Sequence, residues 1–220
     1  MPTCLWTSLG ANNSGQQFGG GVFSPETAEQ FEGGVKTEFF GGRLYSTLAY
    51  FYLTKTNILA PDTANPGYSI AVGKARSQGI EWDINGRVTD EFRLIGSYTY
   101  TDAVITHDTP ETEGNRLYNV PENAASLWGT YDVTPNITFG TGVYLASQVQ
   151  GDLANAYQLP GYVRWDMMAA YHQPIGQSRL TVQLNVNNVL DKRYYASTNG
   201  YTQITPGTPL FFMGAVKLEY

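Results

Sequence analysis

The chain has 220 residues, and its 13 lysines and arginines against 19 aspartates and glutamates leave a net charge of −6. With a pI near 4.8 and no Lys/Arg block, that balance excludes a nucleic-acid partner, whose phosphates need a concentrated basic patch. No apolar run reaches the roughly 18 residues of a transmembrane helix, and the single cysteine, Cys4, excludes an internal disulfide frame and a multi-cysteine metal site.

Gly 24, Tyr 16 and 14% aromatics, at a mean hydropathy of −0.27, describe many turn and strand formers without overall hydrophobicity, an all-β composition. Residues 1–10 lack the charged start and apolar core of a signal peptide. Residues 1–22 supply a partial strand ("LWTSLG") and a loop whose glycine run, Gly19 to Gly21, lacks the Lys-Ser/Thr of a phosphate cradle.

From residue 30 onward the period-2 pattern of a strand recurs. "QFEGGVKTEF" is followed by "RLYSTLAYFYLTKTN", which puts Leu44, Leu48, Tyr50 and Tyr52 on one face. "QGIEWDINGRV" alternates Ile80, Trp82 and Ile84 with Glu81, Asp83, Asn85 and Arg87. "EFRLIGSYTYTDA" sets Phe92, Leu94, Tyr98 and Tyr100 against Arg93, Ser97 and Thr99. "AASLWGTYDV", "NITFGTGVYLASQVQ", "YVRWDMMAAYH", "LTVQLNVN" and "PLFFMGAVKLEY" complete nine or ten strands.

The connections alternate as well: 40–42, 89–90, 134–135 and 173–177 are short, while 58–67, 106–119, 151–160 and 196–208 are long and polar. In an antiparallel meander every short turn then falls at one end and every long loop at the other, as in transmembrane β-barrels. Most strands reach the roughly 9 to 11 residues that cross a bilayer at a tilt. Tyr98 with Tyr100, Tyr144, Tyr157 with Tyr162, and Tyr194 with Tyr195 cluster near strand ends, the expected place of an interfacial aromatic girdle. A soluble β-sandwich carries the same alternation, but its strands average about 5 to 6 residues.

Catalytic chemistry has little to work with. His107 and His172 are the only histidines, and no GxSxG, HExxH or P-loop occurs. Glu81 and Asp83 share a face about 7 Å apart, near glycosidase spacing, but Arg87 shares it too, as the wall of a polar lumen would. The chain reads as no enzyme and binds no metal or cofactor directly.

The order of segments resembles one family. "FSPETAEQFEGGVKTEFFGGRLYSTLAYFYLTKTNIL", "ARSQGIEWDINGRVTDEFRLIGSYTYTDA", "NVPENAASLWGTYDV", "LPGYVRWDMMAAYH" and "LNVNNVLDKRYY" together are similar to the C-terminal part of the barrel of TonB-dependent siderophore receptors. The resemblance implies the C-terminal portion of a barrel of about 22 strands in the bacterial outer membrane, transporting a ferric siderophore. It also implies contact with TonB only through an N-terminal region not among these residues, where the plug would lie as well. Glu122 in place of a common basic residue, Gly33 in place of a branched apolar one and Tyr220 in place of a terminal Phe depart from the family pattern. Phe212, Val216, Leu218 and Tyr220 resemble the signal read by the barrel-insertion machinery.

Further expectations follow from that resemblance. A siderophore keeps its iron inside an organic chelate, so aromatic and polar loop residues would hold it: Tyr68, Tyr118, Tyr157 and Tyr201, with Arg116 for an anionic chelate. Residues 1–220 would be one partial barrel, and in lipid its two open edges would leave each unpaired N–H and C=O costing several kcal/mol. A fragment not competent for transport alone is therefore expected; a small stand-alone outer-membrane pore, or a soluble carbohydrate-binding or hydrolytic β-sandwich, are the alternatives. "LTVQLNVNNVLDKRYYAS" is expected to continue as an unbroken strand over 179–195, with a one-residue bulge at Asn187 and Asn188 as the alternative.

Overall fold

The computed structural model describes residues 2–11, 15–62, 64–200 and 203–220. Ten strands form one antiparallel sheet: β1 (Pro2–Ala11), β2 (Glu26–Phe39), β3 (Leu44–Pro61), β4 (Ser69–Arg87), β5 (Phe92–His107), β6 (Asn123–Thr134), β7 (Ile137–Ala146), β10 (Tyr162–Ile175), β11 (Ser178–Asn187) and β14 (Phe211–Glu219). Two small hairpins, β8 (Val149–Gln150) with β9 (Gln158–Leu159) and β12 (Tyr195–Thr198) with β13 (Ile204–Pro206), sit inside the long connections. Each strand of the sheet pairs with its neighbours in chain order, so the sheet is a pure up-and-down meander. The outer edges of β1 and β14 pair with no strand among the described residues.

Register sorts the side chains. Phe31 lies opposite Tyr52, Val35 opposite Leu48, Leu48 opposite Trp82, and Trp82 opposite Tyr98. Farther along, Leu127 faces Val143, Val143 faces Trp165, and Val182 faces Val216. These rows carry the exposed apolar side chains, Leu48 at 52% and Val216 at 73% among them. The opposite face carries Glu32, Glu81, Asp83, Arg93, Asp132, Asp166 and Lys217. A single layer with its apolar side bare is the inverse of a sandwich, which buries that side against a second sheet.

All short turns lie at one end, and their backbones explain their shortness. Phe40, Gly41 and Gly42 adopt φ of 54, 67 and 84°, and Gly176 one of 61°, a left-handed region that glycine enters without a steric cost. At the other end the β3–β4 ribbon runs farther than its sequence suggests, leaving only 62–68 as a loop, because Ile58 and Leu59 pair with Val72 and Ala71 beyond a kink at Asn57 (φ 57°).

Two expectations are corrected by the fold. The strand over 179–195 neither continues nor bulges: β11 stops at Asn187, and Asn188 (φ 53°) and Asp191 (φ 46°) turn the chain. Long-range bonds decide this, since the Asn188 amide donates to Asp166 Oδ1 on β10 at 2.8 Å and its side chain grips the Lys192 backbone. Nor do Tyr144 and Tyr162 belong to an outward girdle. They alternate with outward Val143, Leu145 and Val163, which puts them on the polar face, where the Arg164 guanidinium covers the Tyr144 ring at 4.4 Å and Tyr194 stacks on Tyr162 at 4.2 Å. Tyr98 and Tyr100 do face outward, with Tyr50.

Candidate functional site

The three long connections after β5, β7 and β11 converge at the loop end of the sheet. Ile105 near the top of β5 is 1% exposed, packed on Leu153 with Ile58, Ile70, Leu117 and Tyr118 around them. This is an apolar core outside the sheet's own rows, and it draws the 108–122 and 147–161 loops together over β3 to β5.

Asparagines then stitch the loops. Asn115 Nδ2 donates to the Leu153 carbonyl at 2.9 Å. Asn155 accepts the Arg116 N–H at 3.0 Å and donates to the Arg116 carbonyl at 2.9 Å, a two-point backbone grip. Asn119 accepts the Thr198 N–H at 2.9 Å and donates to the Thr198 carbonyl, repeating that grip on the third loop. Asn119 and Asn155 have φ of 60 and 55°, which asparagine tolerates better than most side chains. Thr198, 5% exposed, shares its hydroxyl with Tyr157 Oη at 2.8 Å and accepts the Gly200 N–H at 3.1 Å.

The five candidate ligand residues therefore have definite places. Arg116 sits between Glu122 at 2.8 Å and Asp102 at 3.7 Å, and Asp102 also receives Arg76 at 2.6 Å, so its charge is balanced by carboxylates. Tyr157 is hydrogen-bonded to Thr198, with its ring where a side chain at Gly151 would stand. Tyr118 lies against Gly200, and burial pushes its phenol above the ordinary tyrosine range. Arg116, Tyr118 and Tyr157 thus meet in one cluster, as framework for the loops. Tyr68 is apart from them, edge-on to Phe18 at 5.2 Å, and Tyr201 lies outside the described residues.

A second polar centre stands below the cluster on the inner face. Arg164 binds Asp166 through Nη2 at 2.8 Å and Nε at 3.1 Å; Asp166, 4% exposed, receives the Asn188 N–H; and Asn188, fully buried, donates to the Lys192 and Thr208 carbonyls at 2.9 Å each. Asp191 closes the arrangement by accepting the Leu210 N–H at 3.0 Å. Sequence reasoning passed over Asn119, Asn155 and Thr198, and read Asn188 only as part of a strand or a bulge. The available signal was their type, since Asn and Thr side chains compete for backbone groups wherever regular pairing stops. Toward the short turns, His172 reaches Thr138 at 3.1 Å and Thr181 at 3.0 Å, and Thr138 donates to Asp132 at 2.6 Å, a satisfied wall of the inner face. Among the described residues no group of three or more His, Cys, Asp or Glu is arranged to hold a metal ion.

A sheet with its apolar face outside, polar face inside, short turns at one end and folded loops at the other is a segment of an outer-membrane β-barrel. The family model for TonB-dependent-receptor-like β-barrels matches residues 6–189, and the chain belongs to that family. It is 38% identical over 213 residues to the metal-pseudopaline receptor CntO of Pseudomonas aeruginosa, covering 94% of this chain and 30% of that receptor. The probable siderophore receptor PiuA of Acinetobacter baumannii is 35% identical over 224 residues, 97% of this chain and 28% of that protein. The crystal structure of PiuA superposes with a TM-score of 0.81 at 30% identity, over 99% of this chain and 33% of that one. The chain therefore spans about 30% of the length of the relatives it matches.

Phe212, Val216, Leu218 and Tyr220 all fall at outward positions of β14 or just past it, Phe212 opposite Val186 and Val216 opposite Val182.

Proposed function

We propose that this chain is the barrel segment of a receptor that takes up a ferric or other metal-loaded siderophore, with residues 1–220 forming one partial barrel and residues 1–22 its first strand and loop. The observation that carries the reading is the register. From β2 to β14, the nine consecutive strands of the sheet whose side chains are described hold one apolar face and one ionic face without a slip that exchanges them, which only a wall between lipid and a wet lumen requires. The relatives' ligands, a metal–pseudopaline complex for CntO and a siderophore for PiuA, point to the substrate class.

In this reading the protein does no covalent chemistry. The folded loops present a shaped roof to the outside, the ionic inner face lines the path, and the metal travels as cargo inside its chelate. TonB acts through a region ahead of this segment, and outer-membrane lipid covers the apolar face. The outward Phe212, Val216, Leu218 and Tyr220 serve as the strand read by the insertion machinery, so Tyr220→Asp is expected to lower the membrane-inserted yield.

The test places the segment in its full receptor, in a strain lacking its own siderophore receptors, and measures uptake of radio-iron as ferrioxamine and of metal-loaded pseudopaline. TonB-dependent accumulation of one of these or a related chelate supports the proposal. A correctly inserted receptor, shown by heat-modifiable gel mobility, that binds no metallophore of any class refutes it.

A further inference from the structure

The outward face is not evenly covered. Between β5 and β11 it sinks into a groove of about 780 Å³, within the roughly 300–1,000 Å³ range of built ligand sites. Its floor is small: Gly129 on β6 stands opposite Thr141 on β7, and the backbones of Gly140 and Gly142 flank them. Its rims are large, with Tyr131 and Phe139 toward the short turns and Leu127 and Trp165 toward the loops. From Leu127 to Tyr131 the groove runs about 13 Å along the strand, at the strand rise of roughly 3.3 Å per residue.

The polar side-chain atoms of Thr141 and Trp165, in the middle of the groove, are already paired. Thr141 Oγ1 donates to the Asp166 carbonyl at 3.2 Å and accepts the Trp165 indole N–H at 2.5 Å. What remains is hydrocarbon and aromatic surface, including Met167 and Leu184. The groove opens on the face that the family's location turns toward the outer-membrane bilayer, so its occupant is a lipid. An unfilled groove in a bilayer would forfeit the dispersion contacts of its whole lining.

We propose that this groove is a specific site for one acyl chain of a membrane phospholipid, bound lengthwise over Gly129 and Thr141. The groove differs from the outer face of β2 and β3, where the single outward Gly33 lies opposite Tyr50 and is flanked by Phe31 and Val35, and where Leu48, Tyr50 and Tyr52 fill successive positions on β3.

The test uses the full receptor reconstituted in phosphatidylethanolamine vesicles containing a tracer of the same lipid with a photoactivatable diazirine on its acyl chain. Cross-linked peptides are then mapped by mass spectrometry. Labelling several-fold denser at Tyr131, Phe139, Trp165 and Met167 than on β2 and β3 is expected. Gly129→Leu and, independently, Ala169→Leu place a side chain in the groove and should reduce labelling there to the β2–β3 level. Thr37→Leu, on the outer face of β2, should leave it unchanged. Each variant is scored only on the heat-modifiable, inserted fraction, so a folding failure in one leaves the other to decide. Uniform labelling around the outer face, or groove labelling that survives both filling substitutions in inserted protein, overturns the proposal.

Discussion

Replacing Asn188 by alanine removes three hydrogen bonds from a fully buried site: two donated to the Lys192 and Thr208 carbonyls and one accepted from the Lys192 N–H, each at 2.9 Å. At about 0.5–1.5 kcal/mol per bond the loss is roughly 1.5–4.5 kcal/mol. Alanine must also hold φ near 53°, at a cost of about 1–2 kcal/mol that asparagine partly escapes. The backbone N–H of residue 188 still donates to Asp166, so the damage is confined to the 188–210 connection and does not spread along β10. Asn188→Gly loses the same bonds without the backbone strain, so alanine should exceed glycine by about 1 kcal/mol. Hydrogen exchange measured in the full receptor reads this directly. The Lys192, Leu210 and Gly207 amides, all hydrogen-bonded in this structure, should lose protection while those of β10 keep theirs. Unchanged protection in both variants would refute the assignment of Asn188 as the brace of this loop.

Thr198→Val keeps the shape and deletes the hydroxyl that joins Tyr157 and Gly200, costing about 1–3 kcal/mol of loop stability by leaving polar groups unpaired; limited proteolysis should cut 188–210 faster, with no change in the sheet. The Asp62 carboxyl is held below its ordinary range by the Asn65 side chain and by the Asn65 and Ala64 amides. Because the folded value is the lower one, that stabilisation is present above the ordinary value of 3.8 and lost as pH falls through the folded one; the Ala64 and Asn65 amide NMR shifts should titrate with a midpoint below 3.8. The 220-residue chain by itself should give no steady single-channel conductance in planar bilayers, because among the described residues β1 and β14 end the sheet without a partner strand; a reproducible pore would show that these edges close on each other.

Which features were legible in the residues follows from the range of the interactions. The faces of β3, β4, β5 and β11 were readable, because alternation is a local property: each residue's side is set by its two neighbours. The turns at 40–42 and around Gly176 were readable too, since left-handed backbone conformations concentrate on a few residue types. The end of β11 was not. Leu180 to Asn187 alternates cleanly and nothing local stops it; the stop comes from Asp166, 22 positions earlier in the chain. The partners of the loop residues were hidden for the same reason. Tyr157 and Arg116 carry the side chains of a ligand site, yet their partners are Thr198, Glu122 and Asp102, chosen by how three loops pack.

By itself, then, the sequence determined a meander of long strands with one apolar and one ionic face and with its long connections on one side, because period-2 patterning and turn chemistry act over a few neighbouring residues. Only the tertiary structure decided that β11 ends at a buried asparagine, that Tyr157 and Tyr118 meet the third loop at Thr198 and Gly200, and that the outer face holds a groove over Gly129. Each of these depends on pairing between strands and loops far apart in the chain, and such partners are selected by mutual burial and hydrogen-bond satisfaction, which leave no periodic trace along the chain.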